Sequence, residues 1–203
     1  MVVFPNKPIL VGVGHHQVDI DSQLDLIKEI LKGKKQLFIE LSPKQVADAI
    51  KLKSKVGYGG IAILAHSMGV KVIPLDKQMD SNEVDTLMNE LSQMQRFEGG
   101  RPVPPSESDP KLRRALYVDH HKREKYWESL LSGKGAESVV IMYHGHAKEM
   151  QKVLNIPKDN AFLFEPPWYR QRNDLRHIAD QEKSRIEKER LERKRRHAQQ
   201  RRH

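Results

Sequence analysis

Cysteine is absent from this chain of 203 residues. That absence excludes disulfides, thiolate zinc sites, iron–sulfur clusters and thiol nucleophiles together. Any metal chemistry must therefore use His, Asp and Glu. Aromatic residues are scarce at 6%, and apolar residues make up 37%, below the roughly 45–50% usual for globular domains. Part of the chain is expected to lie outside a packed core. Long hydrophobic runs are also missing. No window approaches the roughly 18 uncharged apolar residues that a membrane-spanning helix needs. The first residues, MVVFPNKPILVGVGHH, carry a lysine inside the apolar run and no small-residue cleavage site behind it, unlike a signal peptide. The expectation is a cytoplasmic protein without a membrane span.

What the chain has in excess is positive charge, +9 overall, and it is unevenly placed. From Arg170 to His203 there are 13 Lys and Arg against 6 Asp and Glu, a net of +7, whereas the preceding residues hold 23 against 21. A nearly neutral body is followed by a basic tail. The tail favours helix by composition, but after Ile178 only Ile186, Leu191 and a few alanines interrupt its polar residues. Such a helix is solvated, partner-bound or unstable alone. The expected domains are an α/β body over 1–168 and a basic helical tail over 169–203, the tail being dispensable for folding of the body. Arg193, Lys194, Arg195, Arg196, Arg201 and Arg202 are the candidate phosphate-contacting residues. They would bind RNA, a ribosome or another polyanion by charge, with little regard for base sequence.

The body alternates strand and helix signals. Strands are expected at Pro8–Val13, Gln36–Leu41, Val70–Leu75, Glu137–Tyr143 and Asn160–Glu165. Helices are expected at Ile20–Leu31, Pro43–Leu52 with Ser42 as N-cap, Ile61–Met68, Ser81–Phe97, Lys111–Leu131 and Ala147–Leu154. The proline- and glycine-rich stretch Gly99–Pro110 reads as an irregular loop. The alternation implies βαβ units: an α/β fold with a mostly parallel sheet, flanking helices and a long charged C-terminal helix.

Each expected strand ends at a residue able to carry chemistry: His15 and His16, Glu40, Asp76, His144 and His146, and Glu165. Parallel strands place all their carboxyl ends on one edge, where open α/β sheets bind ligands. His15, Glu40 and His146 should therefore converge there, and histidines with carboxylates can hold a divalent ion. Other histidines have plainer readings. His66 lies on an apolar helix and is expected in the core. His120 and His121 point about 100° apart on a helix and cannot both grip one ion. Trp168 and Tyr169 could stack a base, but the plainer reading is that they anchor the departing chain.

The segment Gly12-Val-Gly-His15 resembles the first G-x-x-H motif of the TraB/PrgY-like proteins of the TIKI superfamily. LFIEL, ending near Glu40, resembles that family's glutamate strand. AHSMGVKVIPLD, from Ala65 to Asp76, is similar to its alanine–x3–glycine helix end and aspartate-closed strand. Lys122-Arg123-Glu124 is similar to its arginine motif, with glutamate where asparagine is common. VVIMYHGH, from Val139 to His146, is similar to its second G-x-x-H segment, with Tyr143 in place of the first glycine. The resemblance spans about residues 8–156. It implies a divalent-metal-dependent, peptidase-like hydrolase with His15 and His146 as metal ligands. Glu40 would be a ligand or general base, and Arg123 an oxyanion or carboxylate partner. The competing function is a non-enzymatic RNA- or ribosome-associated protein with a degenerate site.

Overall fold

A computed structural model describes residues 6–14, 17–53, 57–76, 96–98, 101–103, 110–165 and 176–200. In chain order the elements are β1 (Ile9–Val13), α1 (Gln17–Asp21), α2 (Leu24–Leu31), β2 (Gln36–Ile39), α3 (Pro43–Leu52), α4 (Gly57–Ser67), β3 (Lys71–Pro74), β4 (Arg96–Glu98), β5 (Arg101–Val103), α5 (Pro110–Tyr117), a π-helical segment (Val118–Arg123), α6 (Glu124–Leu131), β6 (Ser138–Tyr143), α7 (His144–Val153), a 3-10 turn (Lys158–Asn160), β7 (Ala161–Leu163) and α8 (Arg176–Gln200). They divide into two compact units. The first comprises Met1–Ser81 and Glu124–Gln171, the second Asn82–Arg123 and Arg172–His203.

The first unit is built on a five-stranded, all-parallel sheet in the order β3-β2-β6-β1-β7. Its strands alternate cleanly between two cores, as the two-residue period requires. Ile9, Val11, Val13, Leu37, Ile39, Val139 and Ile141 face one side, where Ile20, Ile27, Leu31, Val46, Ile61 and Ala65 of α1–α4 cover them. Leu10, Phe38, Val140 and Met142 face the other, against Trp127 and Leu131 of α6 and Ala147 and Met150 of α7. Helices on both faces explain why the strands read as continuous apolar runs.

Local sequence sets several boundaries. Ser42 caps α3 with a capping box: its Oγ accepts the Gln45 N–H at 3.2 Å and its own N–H donates to Gln45 Oε1 at 2.7 Å. The expected helix Ile20–Leu31 is two helices, α1 and α2, with 22–23 between them. At Gly12 an added Cβ would lie 2.8 Å from Ala147 Cβ and 3.2 Å from His144 Cα. Glycine there lets the start of α7 press directly on β1.

The connection leaving β1 passes β6 to reach β2, and the one leaving β6 passes β1 to reach β7. The chain thus departs in opposite directions from the neighbouring carboxyl ends of β1 and β6. This is the switch point at which open α/β sheets form a crevice.

The second unit holds the antiparallel pair β4–β5, with Arg96 opposite Val103 and Glu98 opposite Arg101. This corrects two expectations: Phe97 is in a strand rather than a helix, and the proline-rich stretch contributes a strand. The remainder of the expected helix Ser81–Phe97, over 81–95, lies outside the described residues. Leu112 and Leu116 of α5 bury themselves against Ile178 and Ala179 of α8. The tail helix therefore docks through its first turns. Farther along it is polar on every side, and Leu191 is 57% exposed.

Candidate functional site

At the sheet's carboxyl edge, Glu40 follows β2, His144 and His146 open α7 directly after β6, and Asp76 follows β3. His146 is 2% exposed and His144 3%. Burial of an imidazole is costly unless its nitrogens find partners. His146 Nδ1 lies 2.9 Å from Glu124 Oε1, and its Nε2 lies 3.9 Å from Glu40 Oε1. The other Glu40 oxygen, Oε2, accepts the Tyr143 N–H at 2.7 Å. Glu40 thus satisfies a backbone donor at the strand–helix junction while its second oxygen faces the imidazole. Trp127, fully buried, stands edge-on to the His146 ring at 5.1 Å and donates its indole N–H to Asp76 Oδ1 at 3.2 Å. The Tyr143 ring flanks His146 at 5.9 Å.

The carboxylates define the electrostatics. With Glu124 ionised, His146 Nδ1 donates to it, and Nε2 faces a second carboxylate. At 3.9 Å that pair is too long for a hydrogen bond. Two donors coordinated to one ion at about 2.0–2.2 Å can stand this far apart. Glu124 behind the imidazole matches the outer-shell carboxylate that ligating histidines favour. The donor chemistry of Glu40 and His146 therefore fits a divalent ion. Nearby, burial pushes the His144 imidazole below its ordinary value, and the Lys148 charge adds to this, while Glu165 and the Phe164 backbone act the other way. Burial, with the Asp76 charge second, pushes the Tyr126 phenol up.

Of the residues expected at this edge, Glu40 and His146 come together. His15 and His16 lie outside the described residues. Arg123 falls in the second unit, is buried, and pairs with Asp119 one π-helical turn earlier. Glu165 is exposed. His66 is also exposed, which corrects its expected place in the core; it lies in the last turn of α4. His121 is partly buried and reaches Asp180 of α8 at 2.9 Å. Trp168, Tyr169, Arg201 and Arg202 lie outside the described residues.

Glu124 is the residue that sequence reading missed. It shares a helical stripe with Trp127 and Leu131, all three buried. A carboxylate on an otherwise apolar stripe must have a partner, and that was the available signal. No family model, curated protein or solved structure matches this chain.

Proposed function

We propose that the parallel-sheet unit is a divalent-metal-dependent hydrolase of peptidase-like type. The observation that carries this reading is the buried Glu124–His146–Glu40 array at the carboxyl edge of the sheet. His146 Nε2 and Glu40 Oε1 would hold the ion, with His15 as the further ligand that the family resemblance implies. Glu124 fixes the tautomer and rotation of His146, and the Tyr143 N–H fixes Glu40. A bound ion would bring a water's pKa toward neutrality and polarise a substrate carbonyl. Trp127 and Tyr143 wall the imidazole and limit access of bulk water.

The test is elemental analysis and calorimetric titration of the full-length protein with Zn2+ and Mn2+. The expected result is saturable binding that His146→Ala abolishes. Equal metal content in the His15→Ala, His146→Ala double variant would sink the reading. The array would then hold an imidazolium, protonated on both nitrogens, between two carboxylates, which is the arrangement of a degenerate site. Nitrogen-15 NMR of His146 separates these states directly.

A second reading is favoured by a different observation. Arg193, Lys194, Arg195 and Arg196 are exposed in succession on α8. Such a run supports polyanion binding through phosphate contacts, RNA or a ribosome being the natural targets. It is compatible with hydrolase activity in the other unit.

A further inference from the structure

Within the second unit, α5 and the π-helical segment face α8 across an open groove of about 460 Å³. Arg114, Lys122, Arg185, Arg190 and Arg193 line it, with Glu182 and Glu189 as its two carboxylates, so five cations against two anions leave +3. The carboxylates are already engaged. Arg185 forks onto both Glu182 oxygens at 2.9 and 2.6 Å and also pairs with Glu189. Arg113 stands 4.0 Å from Glu182. The lining therefore carries a net positive charge. Tyr117, Val118 and Ile186 supply its less polar wall.

We infer that this groove is the track of a single nucleic-acid strand. The inference deepens the polyanion reading of the tail and rests on it. Apart from Arg185, whose fork is engaged by Glu182 and Glu189, three of the other four cations are arginines, whose planar forks match phosphate bidentately and also stack on bases. The half-buried Tyr117 ring, which meets the His121 ring at 5.7 Å between centroids, and Ile186 beside it form the surface on which an unpaired base of any identity would stack. Basic grooves combined with an aromatic platform are how single strands are held without sequence preference. From Glu182 to Arg193 the helix advances about 16 Å, room for about five phosphates of a stacked strand at about 3.4 Å each. An acidic peptide would find the charge but would gain nothing from the ring.

The experiment uses the full-length protein and a fluorescein-labelled oligouridylate of about 12 nucleotides, within the usual range of site sizes. Anisotropy is followed at several salt concentrations. Tyr117→Leu should weaken binding about tenfold with little change in salt slope, because one stacked base is lost and no charge. Tyr117→Phe should bind as wild type. Arg114→Gln with Lys122→Gln, both at exposed positions, should reduce the log–log salt slope by about 1.4, at about 0.7 per phosphate. Circular dichroism accompanies each variant, and the exposed pair tests the groove even if Tyr117→Leu unfolds. Suppose the groove variants bind as wild type while neutralising Arg195, Arg196, Arg201 and Arg202 to glutamine abolishes binding. The groove is then overturned and the tail alone binds. Absence of binding by the wild type overturns both readings. Displacement by polyglutamate as effective as by unlabelled oligouridylate overturns the groove as a base-stacking site.

Discussion

A buried imidazole held by a carboxylate on one side and facing another on its far side is sensitive to the loss of either. Glu124→Ala removes the acceptor of the His146 Nδ1–H in a site the solvent barely reaches. An orphaned buried donor costs about 1–3 kcal/mol, and loss of an outer-shell carboxylate lowers metal affinity about 10–100-fold. Urea denaturation and metal titration should show both effects, whereas Glu124→Gln, which keeps an acceptor, should recover most of the stability. Unchanged stability in Glu124→Ala would mean that the array is not a coupled unit. Glu40 and His146 were legible in the sequence because each stands just past the end of an apolar strand, and topology alone carries strand ends to one edge. Glu124 was not, because a helix face reads by its apolar members and the neighbouring Arg123 attracted the functional reading. Side-chain pairs such as Trp127–Asp76 depend on how α6 rotates over the sheet, which no local pattern encodes.

The elements themselves were the most legible level, since parallel strands buried on both faces must be apolar throughout. At Gly12 the start of α7 approaches β1 directly. Gly12→Ala would drive a methyl to 2.8 Å from Ala147 Cβ and 3.2 Å from the His144 backbone. Overpacking of this kind costs about 1–3 kcal/mol. Because the closest atom is another methyl, Ala147→Gly should offset part of that cost. A double-mutant cycle measured by denaturant unfolding is expected to show positive coupling. Simple additivity would place the strain at Leu163 or the His144 backbone instead, 3.1 and 3.2 Å away. Two elements escaped the sequence for different reasons. The β4–β5 pair hid behind prolines, although Gly99-Gly100 lies between its strands in the sequence and is a pair that hairpin connections favour. The π-helical segment has no compositional signature, because it is defined by a one-residue shift in backbone hydrogen bonding rather than by residue type.

At the scale of the whole molecule, the charge that sets the tail apart also stabilises the tail helix itself, chiefly through the Arg185–Glu182 pair within it. Arg185, through its hydrogen bonds, and then the charges of Arg185, Arg113 and Arg114, hold the Glu182 carboxyl below the usual range against the opposing effect of burial. The folded chain thus binds fewer protons at this site than the unfolded chain in acid. Its contribution is complete above the ordinary carboxylate value and is lost as pH falls through the lower folded value. The stability difference between wild type and Glu182→Gln should accordingly be flat near neutrality and shrink in acid. A difference that grows in acid would contradict the pairing.

The docking of α8 on α5 changes what truncation should do. Composition alone makes the tail dispensable as a block, yet α8 divides at about Lys183. Before it, Ile178 and Ala179 complete a core with Leu112 and Leu116. Beyond it lie the exposed Arg193, Lys194, Arg195 and Arg196. Removing residues 193–203 should leave the thermal midpoint little changed. Removing residues 173–203 should uncover Leu112 and Leu116, each worth about 1.5–3 kcal/mol when buried. Amide hydrogen exchange over 110–117 should then accelerate by orders of magnitude. The strands β1 and β6, whose two cores contain no residue of α8, should keep their protection. Equal exchange over 110–117 in the two truncations would mean that Ile178 and Ala179 do not hold α5. Loss of protection in β1 and β6 with the longer deletion would mean that the sheet depends on the tail for its stability.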